Sequence, residues 1–192
     1  MKIHIGCGTV YLNGYINIDG APDYLAKECP PDLLDRNATT FDRYYKQKFG
    51  TLPGHVVADL EYDIGNALPF PNMSVDEVVM YQVLEHIPHY DVDKVLDDIY
   101  RVLRIGGTFF VSVPDLKETA RILVDATSPK DEDWAIRLIH GTQRNKWSHH
   151  FCGFVPRTLK ELLSKHGFGS FEDMPIINCY PAIHIKAIKE NS

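Results

Sequence analysis

The sequence predicts a single α/β domain spanning residues 1–192, with a mostly parallel sheet and flanking helices. Three observations lead to this fold class. Strand-like and helix-like segments alternate along the chain, as they do in βαβ units. The run Phe109–Val113 is almost continuously apolar, which is typical of a strand buried on both faces. Hydrophobic residues make up 44% of the chain and charged residues 24%, which excludes a wholly disordered or fibrous protein.

The strands are predicted from runs of β-branched and aromatic residues. Five such runs lie in the first 113 residues, at Lys2–Ile5, Tyr15–Asp19, about His55–Leu60, Val75–Tyr81 and Thr108–Val113. Near the C-terminus, Ala182–Lys189 mixes β-branched residues with lysines, so we predict a last strand with one face less buried than the other.

Three helices are predicted between these strands. Asp91–Arg104 carries apolar side chains at helical spacing, and Gly106-Gly107 is expected to end it. Asp115 and Glu118 have the spacing of a capping box, so a second helix begins there. The third helix covers about Pro156–His166, with proline in its first turn and glycine directly after its end.

Two segments interrupt this alternation. Gly20–Gly54 contains several prolines near its start and then becomes helical around Phe41–Phe49. Asp125–Gly153 carries both tryptophans and three histidines. Because α/β proteins build their pockets from segments at strand ends, we interpret both as insertions that cover a ligand.

Charge and cysteine content narrow the function classes. A formal net charge of −6 is not the electrostatic footprint of a general nucleic-acid-binding protein, so we expect no nucleic-acid partner. No apolar run approaches the roughly 18 residues of a membrane span, and the N-terminus lacks the pattern of a signal peptide. The four cysteines are scattered, with no CxxC pair. We therefore predict a cytoplasmic protein with free thiols.

A glycine turn follows the first predicted strand, and an acid closes the second. Gly6 and Gly8 let the backbone approach a ligand closely, and the Asp19 carboxylate can accept hydrogen bonds from both hydroxyls of a ribose. A dinucleotide-binding fingerprint would need glycine in place of Tyr11 and about 20 residues before the acid. Only Thr9 to Gly14 separate the turn from the second strand, which disfavours a nicotinamide enzyme.

Motifs in a characteristic order resemble the small class I S-adenosylmethionine-dependent methyltransferases, and most closely a bacterial and phage-type, type-11-like subgroup. The matching segments are Ile3–Gly8 (IHIGCG), Gly14–Asp19 (GYINID), Leu68–Asp76 (LPFPNMSVD), Val83–Ile87 (VLEHI), Arg101–Gly107 (RVLRIGG) and Leu159–Phe168. Ile105 stands where the family usually has proline. The resemblance covers residues 2 to about 168. It implies a Rossmann-like sheet of seven strands, with the last strand antiparallel and the cofactor over the carboxyl ends of strands one to four.

The resemblance also implies which residues hold the cofactor S-adenosylmethionine. They are Gly6, Cys7, Gly8, Asp19, Asp63, Ile64, Tyr81 and Gln82. Asp19 would bind the ribose hydroxyls. Asp63 would take the adenine amino group, and Asp59 competes for that role because the sequence leaves the end of the third strand open. Tyr81 and Gln82 would lie at the methionine end.

Catalytic residues are harder to identify, because a sulfonium methyl is already activated and mainly needs alignment. Glu85 and His86 belong to the resemblance, but such a pair also caps and packs turns. His149 and His150 are the predicted catalytic residues, since a neutral imidazole can take a proton from an attacking hydroxyl. With Cys152 they lack a standard metal-ligand spacing and a fourth ligand, so no metal site is predicted.

The expected function is methyl transfer to a hydroxyl or amine of a small molecule or glycan. Nucleic-acid amino-methyltransferases usually carry a D/N-P-P-Y/F block where this chain has Tyr81–Leu84. The family's usual N-terminal helices do not precede the first strand, so Gly20–Gly54 is the expected cover of the cofactor. We expect Asp125–Gly153 to fold over the methyl donor, with His149 or His150 facing it. The alternative is a scaffold of the same fold that binds the cofactor without turnover.

Overall fold

The computed structural model describes residues 1–39 and 54–191. Its main sheet contains seven strands: β1 (Lys2–Ile5), β2 (Ile16–Asp19), β5 (Leu60–Glu61), β6 (Val75–Tyr81), β7 (Leu103–Pro114), β8 (Phe168–Asp173) and β9 (Ala182–Lys189). Their order is β5-β2-β1-β6-β7-β9-β8. The last strand, β9, runs antiparallel to β7 and β8, whereas the other neighbours are parallel. The predicted Rossmann-like fold is confirmed.

The central strands bring four carboxyl ends to one edge of the sheet. β1 lies between β2 and β6, with Ile3 opposite both Ile16 and Val78. β5 continues the parallel set beyond β2. The first and fourth predicted strands, β1 and β6, are therefore neighbours, and the loops after β1, β2, β5 and β6 meet at this edge.

Five helices lie within the described residues: α1 (Pro31–Asn37), α2 (His89–Val102), α3 (Leu116–Val124), α4 (Pro129–His140) and α5 (Pro156–Lys165). α2 and α5 bury their apolar faces in the same core as the central strands, where Leu96, Leu163 and Phe109 have no exposed surface. One half of the predicted capping box of α3 is confirmed, because the Asp115 carboxylate accepts hydrogen bonds from the Lys117 and Glu118 amides. The other half is absent, since the Asp115 amide donates to the Pro181 carbonyl instead of the Glu118 side chain. No helix in the described ranges is long and apolar enough to cross a membrane.

The prediction that Gly106-Gly107 ends the helix is wrong. α2 ends at Val102, and both glycines lie inside β7. Between Leu103 and Thr108 the pairing of β7 with β6 shifts in register. Gly106 has a φ of +74°, and a Cβ on Gly107 would lie 2.7 Å from the Arg104 carbonyl oxygen. The glycines are therefore needed for an irregularity in the strand rather than for a helix cap.

The predicted third strand is divided between two sheets. Val57–Ala58 forms β4, which pairs with β3 (Tyr24–Leu25), while Leu60–Glu61 forms β5 in the main sheet. Asp59 lies between them. The predicted helical stretch Phe41–Phe49 lies outside the described residues.

Candidate active site

A cleft of about 460 Å³ opens at the edge where β1, β2, β5 and β6 end. It is lined by most of the predicted cofactor-binding residues, namely Gly6, Gly8, Asp19, Asp63, Ile64 and Gln82. Asp91 at the start of α2 and Lys146, Trp147 and Phe151 from the chain between α4 and α5 complete part of the wall. The cleft therefore joins the strand ends to the predicted covering segment.

The glycine turn forms the floor of this cleft. Gly6 has a φ of +63°, and a Cβ there would lie 2.3 Å from Cγ2 of Val83. The Asp19 carboxylate accepts hydrogen bonds from the Gly8 amide at 2.9 Å and the Ala21 amide at 3.1 Å. Each carboxylate oxygen can accept more than one hydrogen bond, so Asp19 can hold the turn and still bind ligand hydroxyls.

The geometry distinguishes the two acids that competed for the adenine position. Asp63 lines the cleft, and its Oδ1 accepts the Gly65 amide at 2.9 Å. Asp59 is engaged elsewhere: it accepts from the Asn17 amide at 2.7 Å and from the Tyr11 hydroxyl at 2.7 Å. Asp59 therefore links β2 to the loop that precedes it, whereas Asp63 faces the cleft.

Two predicted cofactor residues have their side chains elsewhere. The Cys7 thiol is buried and lies 3.4 Å from the Val57 carbonyl oxygen, to which it donates a hydrogen bond. Burial raises the pKa of this thiol far above its ordinary value, so it stays protonated. The Tyr81 ring packs edge-on against His184, with 5.3 Å between centroids. Neither residue belongs to the cleft wall as the described residues build it.

Gln82 turns the chain sharply at the end of β6. Its φ is +57°, an uncommon conformation for a residue other than glycine. The Gln82 amide donates to the Ser112 carbonyl at 2.7 Å, and its side-chain Nε2 donates to the Ser112 hydroxyl at 2.8 Å. These bonds to β7 hold the conformation and direct the next residues into a short 3₁₀ turn, Leu84–His86.

A second cavity, of about 240 Å³, adjoins the cleft. Gln82, His86 and Trp147 line both spaces, so they form the boundary between them. The Trp147 ring lies against Gly20, where a Cβ would be 3.1 Å from it. The residues that line the second cavity include several with polar groups, namely Glu85, Arg137, Thr142, Ser148, His150 and Tyr180.

Glu85, His86 and His150 form a cluster on the wall of the second cavity. Their nearest ligand atoms all lie within 4.8 Å of one another. The Glu85 side chain is buried, and neither carboxylate oxygen has a hydrogen-bond partner among the described residues. Burial raises the pKa of Glu85 to about 8.

Both histidines of the cluster keep one ring nitrogen unprotonated. His86 Nδ1 donates to the His149 carbonyl at 2.8 Å, and His150 Nδ1 donates to the Leu138 carbonyl at 3.0 Å. Carbonyl oxygens only accept, so in the neutral rings Nε2 carries the lone pair. Burial lowers the pKa of His150 to about 4 and also lowers the pKa of His86, which keeps both rings neutral.

The two predicted catalytic histidines are thus placed differently. The His150 ring lines the second cavity and meets the His86 ring edge-on, with 4.8 Å between centroids. The His149 ring stacks on Phe151, and only its backbone carbonyl takes part in the cluster.

The sequence did not predict that Trp147 forms the wall between the two cavities, nor that Glu85 and His86 lie beside His150. The only feature of the sequence that could have indicated this cluster is that Glu85 and His86 are adjacent in the chain.

Comparisons with known proteins show the family to which the chain belongs. A family model described as a methyltransferase domain matches residues 3–111, more than half of the chain. A fatty-acid O-methyltransferase of Mycolicibacterium smegmatis is 27% identical over 178 residues, covering 86% of this chain and 58% of its own. A probable S-adenosylmethionine-dependent methyltransferase of the same organism is 48% identical over 48 residues, covering 25% of this chain and 18% of its own. The chain therefore spans less than two thirds of either curated relative.

Solved structures share the fold. A possible histamine N-methyltransferase of Thermotoga maritima superposes with a TM-score of 0.55 at 15% identity, covering 98% of this chain and 82% of its own. Human N-acetylserotonin methyltransferase, solved with S-adenosylmethionine, superposes with a TM-score of 0.53 at 18% identity, covering 99% of this chain and 47% of its own.

Proposed function

The chain belongs to the methyltransferase domain family, and we propose that it transfers the methyl group of S-adenosylmethionine to a hydroxyl or amine of a small molecule or glycan. The observation that carries the proposal is the junction of the two cavities, which share Gln82, His86 and Trp147. A donor in the cleft and an acceptor in the second cavity would meet across these side chains. Such alignment, with water excluded, is the main requirement of an already activated sulfonium.

The charge of the cleft supports a cationic cofactor. Three carboxylates line it, those of Asp19, Asp63 and Asp91, against the single ammonium of Lys146 among its described lining residues. S-adenosylmethionine carries a positive sulfonium, a positive ammonium and one carboxylate, so its net charge is positive and the acidic cleft is complementary to it. Asp19 would accept the ribose hydroxyls, and Asp63 would accept the adenine amino group.

The second cavity supports a small polar acceptor, and an oxygen rather than a nitrogen nucleophile. Polar groups among its lining residues can hydrogen-bond a hydroxylated ligand, and the cluster presents lone pairs that can take a hydroxyl proton. The name of the fatty-acid O-methyltransferase also points to methylation of oxygen. His149 and His150 remain the proposed catalytic residues, and of the two only the His150 ring lines this cavity in the described chain.

The test separates binding from turnover. Isothermal titration calorimetry with S-adenosylmethionine and its demethylated product is expected to show binding that Asp63→Asn weakens. Asp35→Asn, on the exposed surface of α1, serves as the matched control. Release of the demethylated product is then followed over a panel of hydroxyl, carboxylate and amine acceptors. No binding at about 1 mM would contradict the proposal. Binding without turnover on every acceptor would favour the non-catalytic scaffold.

A further inference from the structure

We infer that Glu85, His86 and His150 form a binding site for a divalent transition-metal ion beside the cofactor cleft. The three side chains offer one carboxylate oxygen and two imidazole nitrogens from two distant parts of the chain. This set of ligands suits zinc and its first-row neighbours, whereas magnesium and calcium prefer oxygen alone. The site rests on this geometry and stands whether or not the chain transfers methyl groups.

The buried carboxylate is the observation that points to a cation. Glu85 is 1% exposed, and both of its oxygens are without hydrogen-bond partners in the described part of the chain. A buried polar group in a native protein is normally satisfied, and an orphan one calls for a bound water or ion. The nearest opposing group is His86 Nε2, at 3.9 Å, which is too far for a hydrogen bond. A cation between them would satisfy all these atoms at once.

The histidines are already oriented as metal ligands are. In metal sites the second ring nitrogen usually donates to a carboxylate or a backbone carbonyl, which fixes the tautomer and the ring. His86 Nδ1 and His150 Nδ1 both donate to backbone carbonyls, those of His149 and Leu138. Their Nε2 lone pairs are therefore available to a cation.

Backbone hydrogen bonds hold the two halves of the site together. The Glu85 carbonyl accepts from the Phe151 amide at 2.8 Å and from the Cys152 amide at 3.2 Å. The His150 amide donates to the His140 carbonyl at 3.1 Å. Tetrahedral metal–ligand bonds of about 2.1 Å place the ligand atoms about 3.4 Å apart. Atoms up to 4.8 Å apart would therefore have to approach by roughly 1.4 Å, which side-chain rotation can provide.

Three protein ligands leave coordination positions open. Because Glu85, His86 and His150 all line the second cavity, those positions face the space proposed for the acceptor. They would take water, or an oxygen of a hydroxylated or carboxylated acceptor. With the cation bound, the histidine lone pairs no longer take the hydroxyl proton; the cation lowers the pKa of the hydroxyl instead, and the proton passes to water. Only this last role rests on the proposed function.

The experiment measures metal binding in the absence of cofactor and acceptor. Protein stripped with a chelator is titrated with zinc chloride by calorimetry, and with cobalt(II) by visible absorption. All variants carry Cys179→Ser, because this exposed thiol can bind zinc by itself. We expect about one zinc ion per chain with a Kd below about 10 μM. His89→Gln, an exposed histidine at the start of α2, is the matched control and should bind zinc as the parent does.

Replacement of a ligand should weaken zinc binding by more than about 100-fold, because the loss of a ligand's supporting hydrogen bond alone costs 10–100-fold. Glu85→Gln and His150→Gln are the test variants, and circular dichroism checks their folding. Should one fail to fold, the other decides. If the parent binds no zinc at about 1 mM, or both variants bind it like the parent, the site does not exist. Cofactor binding measured without metal tests the proposed function separately.

Discussion

The cofactor cleft and the second cavity adjoin each other, but different parts of the fold hold them. In the cleft, Gly6 and Asp19 lie at the ends of two paired parallel strands, so the sheet itself positions them. In the second cavity, Glu85 and His150 are 65 positions apart in the chain and meet through loop-to-loop backbone hydrogen bonds. Changes in the two regions should therefore have separable effects, on cofactor affinity in the first and on turnover in the second.

The largest expected effect breaks the second cavity alone. Glu85→Gln and His150→Gln should each lower kcat by roughly 10²–10⁴-fold, the range for loss of a group that handles the acceptor proton. The cofactor Kd should stay the same, because neither residue lines the cleft in the described chain. Product release under saturating cofactor and calorimetry with the demethylated cofactor measure the two quantities. A parallel fall in cofactor affinity would show that the two regions are not separable.

The converse change acts on the cleft. Asp19→Ala should weaken cofactor binding by about 1.5–3 kcal/mol, the strength of hydrogen bonds to a charged acceptor. The kcat at saturating cofactor should change far less, since Asp19 does not line the second cavity among the described residues. Asp35→Ala on α1 is the control. Unchanged affinity in a folded Asp19→Ala protein would remove the ribose role.

The residues of the cofactor cleft could be predicted from the sequence because they directly follow the ends of strands. The motif around Gly6 and Asp19 comprises one short stretch of chain, and parallel pairing brings the two residues together without further information. The choice between Asp59 and Asp63 could not be made, because it depends on where one strand gives way to another with a different partner. Two-residue strands carry too little periodicity to locate that point.

The residues of the second cavity could be predicted only in part. The sequence pointed to the segment after α3 and to its histidines. The only metal-ligand set that its spacing suggested was His149, His150 and Cys152, and that set was incomplete. In the structure the Cys152 thiol donates to the Ile87 carbonyl at 3.2 Å, while His150 joins Glu85 and His86. Contacts between loops so far apart in the chain have no local signature. The same reason explains why the role of Trp147 was missed.

Two glycine variants test how tightly the glycine turn at the floor of the cleft is packed. Gly6 and Gly8 both have positive φ, so Ala costs backbone strain at either position. Only at Gly6 would the added Cβ collide with a side chain, that of Val83 at 2.3 Å. Gly6→Ala should therefore destabilise the protein by about 2 kcal/mol more than Gly8→Ala does. Urea unfolding of both variants measures the difference, and equal losses would mean that Val83 moves aside freely.

A buried polar network beneath the cleft underlies the smallest expected effect. His4 in β1 is 1% exposed, and its Nδ1 donates to the Asn17 side-chain oxygen at 3.0 Å. The Leu12 amide donates to that oxygen as well, at 2.9 Å. Asn17 Nδ2 in turn donates to Asp59 at 3.1 Å. Burial lowers the pKa of His4 to about 4, so the folded protein holds this ring neutral.

Acid should therefore lower the free energy of unfolding through protonation of His4. Its pKa is about 4 in the folded chain and about 6.5 when unfolded, so below pH 6.5 the unfolded chain takes up the proton first. Stability is complete above pH 6.5 and falls as the pH drops toward 4, by about 1.4 kcal/mol at pH 5.5. His4→Asn keeps an N–H donor for Asn17 but cannot titrate, whereas His184 titrates in both proteins. Between pH 7.5 and 5.5 the parent should lose about 1.4 kcal/mol more unfolding free energy in urea than His4→Asn. Parallel losses in the two proteins would assign the acid sensitivity to other groups.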